Sequence, residues 1–557
     1  METIHVDPER AQAGVRRRFP RPASPRRVDL VGKVARSFGT VLCILAAALA
    51  VPGVAPARAE NMVRWTSTVG MPAWEPAANN TPTSNGMAQV YEGLTLTGAD
   101  LALRPALATA WTLVRPDTWR FELRRDMRFH DGAPLTAADV AFSLDRARGE
   151  GSDFAIYLTD ITAVTAADEH TVEVATKRPD PLLPMKLRRV PILSKTWAEQ
   201  HGVMRPARPG DTSTYVFAHA NGTGPFKLES FEPGGRTVLV RNPDWWGRAE
   251  YPHNIDRIVW AAEPDAAKRL GLLLGGETDF LQDPPLDRLD RLRDAPGVKL
   301  VRMGVLGTDF LGLDQASAAL RTSDVKSRNP FADRRVRQAV YQAIDVEALI
   351  AKARGGLGVP AGMLAPPGAN GYSPELDRRP PYDLARAKAL LDEAGYANGF
   401  DIRLDCVTSR RETCEELAAQ LAKVGLRVTA DAVPFDVYRQ RVAGRATDFY
   451  VTYDGAGMTL DSVEMLRDIY FSRPHWVGAT GYADPGVDAV IEKIDGETSK
   501  PARDALIEQV WRTVLDQVVV VPLYHPVTVW AMRDTLELPG HALPWPTFFQ
   551  AHLIGQR

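Results

Sequence analysis

Apolar and polar residues alternate along Trp119, Phe121 and Leu123, with Arg120, Glu122 and Arg124 between them, the period of a strand with one buried face. His130-Asp131-Gly132 is turn chemistry, and Thr136 with Asp139 three residues on caps a helix whose apolar stripe is Val140, Leu144 and Ala147. Further strand signals fall at Ile161–Val164 and Thr171–Ala175, and an almost continuous strand pattern runs from Gly297 to Asp314. Val336, Val340 and Ile344 give a helical stripe with Asp333 at its start. A second helix opens at Tyr382-Asp383, turns Ala387, Leu390, Leu391 and Ala394 inward, and stops at Gly395. Strand 400–407, helix 411–424 and strand 426–433 then read as a β-α-β unit with a right-handed crossover, which predicts a partly parallel sheet. One more strand is expected at 447–453, and an apolar return at 518–525.

With 557 residues, 45% of them hydrophobic and 24% charged, the chain is long enough for two or three domains with ample cores. Its net charge of −2 hides an uneven distribution. Residues 1–59 hold ten Arg/Lys against four Asp/Glu, and the rest 57 against 65. A mildly acidic body argues against a nucleic-acid partner. The basic head, the apolar run from Val41 to Val51 and Ala57-Arg58-Ala59 together form a cleavable export signal, so the mature chain is expected to begin at Glu60 in the periplasm. The run is shorter than the ~20 residues that span a bilayer. Arg16-Arg17-Arg18 lies too far ahead of it for a twin-arginine signal, which leaves the general secretory route.

Several blocks resemble the family 5 solute-binding proteins, the peptide, nickel and opine binders of bacterial ABC importers. They are Tyr91-Glu92-Gly93-Leu94, Pro105-Ala106-Leu107-Ala108 with Trp111 and Trp119, Phe129-His130-Asp131-Gly132-Ala133-Pro134, and Ala138-Asp139-Val140. Asn221-Gly222-Thr223-Gly224-Pro225-Phe226, Asn242-Pro243-Asp244-Trp245-Trp246-Gly247 and residues 329–339 continue the resemblance. It implies an α/β chain with mixed sheets in the two-lobed periplasmic-binding-protein fold. The first lobe would be 60–305, with an inserted subdomain at 91–210, the second 306–520, and 521–557 would return to the first. The implied function is a monomeric receptor that closes on a small ligand, a short peptide being the commonest cargo, and delivers it to an inner-membrane ABC permease.

Motifs for catalysis and cofactors are absent. The ten histidines show no H-E-x-x-H spacing, and there is no G-x-S-x-G, P-loop or dinucleotide fingerprint, so no enzyme activity, cofactor or metal is expected. A secreted hydrolase with a carboxylate pair is the competing class, and a periplasmic chaperone or sensor adaptor on the same fold a third. The expected ligand site is Tyr453, Asp454, Gly455 and Gly457, just past a strand end where open α/β sheets bind ligands, with Asp461 beyond it. Peptide-binding relatives place in this region an aspartate that holds the ligand's amino terminus. Here Tyr453 replaces a tryptophan and Ser462 a proline, which leaves metal chelates, opines and oligosaccharides open as ligands. Asp461-Ser462-Val463-Glu464 also reads as a helix cap. Trp74, Trp476 and Trp545 fit either a cleft wall or a core. Cys406 and Cys414 point at one core, as a disulfide or as two buried thiols.

Overall fold

The computed structural model describes residues 60–555 apart from 99, 209, 474, 541, 542 and 544, so the expected export signal over 1–59 lies outside the described residues. Met62–Ser67 pairs in parallel with Arg257–Ala262 on one side and Phe280–Leu281 on the other. Arg236–Arg241 and Phe226–Phe231 extend this sheet antiparallel. Its core is aromatic: Trp65 lies flat on Trp260 with ring centres 4.1 Å apart, and Phe280 and Phe548 close around them. Trp74 belongs to this core and is fully buried, so it lines no cleft.

A second group of strands is built on Gly307–Leu313, buried along its whole length. Phe449–Gly455 pairs antiparallel with it and touches Asp401–Val407 in parallel. Asp401–Val407 in turn runs parallel to Arg427–Val433. The connecting helix Arg411–Ala422 buries Cys414, Leu417 and Leu421 in the same core as Ile402, Leu404 and Cys406. This is the expected β-α-β unit, and Cys406 is bonded to Cys414 across a Cα–Cα distance of 6.7 Å.

The two groups are joined by two consecutive strands running in the same direction, Val298–Gly304 and Gly307–Leu313, and by one long strand antiparallel to both, Val520–Arg533. The first part of the long strand pairs with Gly307–Leu313, and the second with Val298–Gly304 and Phe280–Leu281.

A separate antiparallel sheet runs in the order Ala108–Arg115, Thr118–Leu123, Thr171–Thr176, Ile161–Asp168. Helix Ala137–Ala147 seals one face with Val140 and Leu144 against Phe121. Thr136 opens the helix as expected, its backbone N–H donating to Asp139 at 2.9 Å.

The recurring sequence blocks meet at one polar junction. The indole N–H groups of Trp245 and Trp246 and the Thr223 hydroxyl all donate to the Glu92 carboxylate, at 3.0, 2.8 and 2.8 Å. His130 binds the main-chain oxygen of Gly224 through Nε2 at 3.0 Å, and Asp131 and Asn221 exchange two hydrogen bonds. Gly222 has no room for a side chain, since a Cβ there would lie 1.9 Å from the Val90 oxygen. The glycine-rich turn is therefore a packing device rather than an anion cradle.

Arg146, on the helix Ala137–Ala147, forms a bidentate pair with Glu75 at 2.6 and 2.9 Å, both residues being under 10% exposed. The remaining donors of Arg146 reach the oxygens of Val203 and Arg205. Removing one partner of such a pair strands the other charge, so Glu75→Ala is expected to lower unfolding free energy by about 3–5 kcal/mol in urea titrations. Intact mass of exported protein, alkylated without reductant, is expected to show no label on Cys406 or Cys414. Two labels would mean free thiols.

Candidate functional site

Where the two strand groups meet, a cavity of about 740 Å³ opens. Tyr453, Asp454, Gly455, Gly457, Glu464 and Asp468 line one side, Tyr157, Lys186 and Arg189 the other, and Leu306 and Trp545 lie at the crossing. Asp454 and Gly455 are the last two residues of Phe449–Gly455, paired with Thr308 and Gly307. They therefore sit in the strand, not past its end, because the ladder with Gly307–Leu313 extends two residues beyond the expected 453. Gly455 is glycine for packing: a Cβ would lie 2.5 Å from the Leu306 oxygen. At Gly457 a Cβ would meet nothing within 4 Å, so this position faces open space. The chain then reverses at Leu460, whose φ of 57° is left-handed and strained for a branched residue. The Asn370 N–H, which donates to the Leu460 oxygen at 2.8 Å, holds the reversal.

Asp461 is not brought to the cavity. It is 2% exposed, and its carboxylate is taken by Arg503, by the Asn370 amide at 2.9 Å and by the Val463 N–H at 2.9 Å. The expected capping box does not form: the short helix Val463–Met465 follows Ser462 with no side-chain cap, and Asp461 instead accepts from the Val463 N–H in a local turn and serves the fold.

Asp454 differs in kind. Its Oδ2 is shut off from solvent and accepts no hydrogen bond, and the same holds for Glu464 Oε1. Burial pushes the Asp454 carboxyl well above the usual range, the neighbouring Asp468 charge pushes it further, and the Gly455 N–H opposes the shift. Burial likewise raises Glu464 to about 8 and Asp468 to about 7. Glu464 on the short helix Val463–Met465 and Asp468 on the π-helical turn Leu466–Tyr470 are four residues apart, so both acids face the space beside Asp454. Sequence reading named Asp454 for the site and did not name these two for it. Their spacing was visible, but the burial that makes them unusual comes from residues distant in the chain.

Most cations of the cavity already have partners. Arg178 pairs with Asp160 at 3.0 Å, Lys186 with Asp180 at 2.7 Å, Arg467 with Asp495 and Arg503 with Asp461. Trp476 is half-buried at the cavity edge, and Trp545 lies 4.0 Å from the Arg189 guanidinium in a cation–π stack. The result is a wall of three acids that form no ion pair among the described residues, with Lys186 and Arg467 acting on Glu464 and Asp468 only at longer range.

The raised acids make ligand-free stability depend on pH. Their folded-state pKa values lie above the ordinary carboxylate values near 4, so the folded protein holds protons that the unfolded chain has lost. Their contribution is fully present at low pH and declines as pH rises toward about 8. The Glu464→Gln, Asp468→Asn double variant should therefore gain melting temperature relative to wild type between pH 5.5 and 8.5. Parallel pH profiles would contradict the assignment.

Comparison with known proteins places the chain. Residues 102–475 match the family described as "Bacterial extracellular solute-binding proteins, family 5 Middle". The chain is 25% identical over 527 residues to the di/tripeptide-binding protein 1 of Pseudomonas aeruginosa, covering 88% of this chain and 94% of that one. It is 26% identical over 460 residues to the heme-binding protein A of Haemophilus influenzae, covering 76% and 79%. The fold superposes on the periplasmic binding protein DppA of Helicobacter pylori, solved with the peptide STSA, with a TM-score of 0.71 at 22% identity over 89% of this chain and 98% of that one. The architecture is thus the expected two-lobed α/β fold with mixed sheets, and the hydrolase and chaperone readings find no support. The chain belongs to the bacterial extracellular solute-binding proteins of family 5, periplasmic receptors that hand a captured solute to the membrane permease of an ABC importer.

Proposed function

We propose that the solute is a short peptide whose ammonium group is neutralised by Asp454, with Glu464 and Asp468 adding to the negative wall. The observation that carries this reading is the buried, unpaired Oδ2 of Asp454, on a strand end held rigidly by its neighbours. Burial holds the ligand-free Asp454 carboxyl toward its neutral form, and a bound ammonium favours the charged form through a charge-assisted hydrogen bond. Relatives named for di- and tripeptides and for glutathione are in line with a peptide, and a relative named for heme shows that the family's cargo varies. The same proposal includes a signal peptide over 1–59, a first lobe over 60–305 with its subdomain at 91–210, a second lobe over 306–520, and a return through 521–557. The consecutive strands on either side of Val305 and the strand Val520–Arg533 that pairs with both support those crossings.

A thermal-shift screen of di- and tripeptides identifies a ligand through the stabilisation that binding confers on the folded state. Losing one partner of a desolvated charge pair typically costs about 2–5 kcal/mol, so Asp454→Asn is expected to weaken calorimetric affinity for that peptide by roughly thirty-fold or more. Its ligand-free melting curve should not fall below that of wild type, since the substitution removes a buried acid that burial already holds toward its neutral form. Unchanged affinity would place ammonium recognition elsewhere.

A further inference from the structure

The charges that line the main cavity do not balance. Asp160, Asp180 and Asp495 are paired with Arg178, Lys186 and Arg467, and Arg503 is taken by Asp461. Asp454, Glu464 and Asp468 remain, and among the described residues they form no ion pair. Arg189 is stacked on Trp545 and feels the Glu464 charge only at longer range, as does Arg188.

One ligand ammonium accounts for Asp454 and leaves Glu464 and Asp468. These two lie about one helical turn apart, on Val463–Met465 and Leu466–Tyr470, and Oε1 of Glu464 is closed to solvent and accepts no hydrogen bond. Burial is the larger cause of the raised carboxyls, and like charge adds to it: Asp468 acts on both Asp454 and Glu464, and at Glu464 it outweighs the opposing charge of Lys186. Among the described residues no three His, Cys, Asp or Glu side chains are gathered closely enough to hold a metal ion. The wall is therefore spaced for separate cationic groups rather than for one small ion.

Tyr157 faces this wall across the cavity. Burial raises its hydroxyl to about 12, and the charges of Glu464, Asp468 and Asp454 add to the shift, which places all three acids near it. It gives no hydrogen bond to Asp454 Oδ2 or Glu464 Oε1, since neither accepts one. A phenolic oxygen in this position can accept from an ammonium held against the carboxylates. Met458 and Val463, both buried, add apolar surface to the same lining for a side-chain stem.

We infer that the ligand carries a second cationic group, seated by Glu464, Asp468 and Tyr157. Resting on the peptide reading above, the cargo is a short peptide whose first residue is basic, such as lysine. Asp454 takes the α-ammonium, and Glu464 with Asp468 takes the ammonium of the side chain.

The test is calorimetry with Lys-Ala and norleucyl-alanine, which keeps the side-chain stem and lacks its ammonium. Wild type should bind Lys-Ala at least about tenfold more tightly than norleucyl-alanine. In the Glu464→Gln, Asp468→Asn double variant the two should bind within about threefold of each other. Equal binding of the two by wild type, or a gap that persists in the double variant, overturns the inference. Equal binding that still depends on Asp454 leaves the ammonium reading standing. Binding of neither peptide by wild type removes the peptide reading and this inference together. Should the double variant not fold, the comparison is made in Glu464→Gln, where the gap should narrow and an unchanged gap overturns the seat.

Discussion

Backbone pairing on a single strand fixes the geometry of the whole site. Val520–Arg533 lends hydrogen bonds to both lobes, and Gly307–Leu313 runs between it and Phe449–Gly455. Asp454 is therefore set by a ladder, not by a loop. Beneath it the strand partner Thr308 is itself held, its hydroxyl meeting His525 Nδ1 at 2.8 Å while His525 Nε2 reaches Asp377 at 3.3 Å. The next residue, Asp309, pairs with Arg410. A recognition group on a rigid element with supported neighbours keeps its position without drawing on ligand binding energy to order it.

Charge in the cleft follows a simple division. Cations and acids that serve the fold are paired at short range, as in Arg146 with Glu75 and Arg503 with Asp461. Asp454, Glu464 and Asp468 form no ion pair among the described residues, and Arg188 and Arg189 feel the Glu464 charge only at longer range. Contacts across the cleft leave the three acids out: Arg178 reaches Asp495 at 3.4 Å, and Arg188 uses main-chain oxygens of residues 457 and 458. The lobes thus meet while the charges that would recognise a ligand stay unspent. Burial raises the acids, lowers the arginines, and makes each sensitive to an opposite charge.

Much of the architecture was legible because its periodicity is local. The β-α-β unit 401–433 and the capped helix after Thr136 fall where alternation, apolar stripes and turn residues put them. The family blocks were legible too, but what they do was not. Glu92, His130, Asn221 and Trp245 are far apart in the chain and meet only in the folded junction. At the site, Asp454 was named for its position near a strand end, and its neighbour Asp461 was read with it although its carboxylate turns inward to Arg503. Nothing local distinguishes the two. The difference is which acid finds a buried cation, and that is decided by helix Lys500–Asp516 some forty residues later. Glu464, Asp468 and Arg189 escaped for the same reason, since spacing shows a shared face but not the enclosure that perturbs it.

The central claim is that the unpaired acid wall of the second lobe is the counter-charge for a ligand ammonium. The most direct measurement is a crystal structure of the mature protein with the ligand it retains from its native periplasm. The account predicts a ligand nitrogen within hydrogen-bond distance of Asp454 Oδ2 and enclosed by Glu464 and Asp468. A ligand that leaves Asp454 facing water or an apolar group, with no cation at the wall, would contradict it.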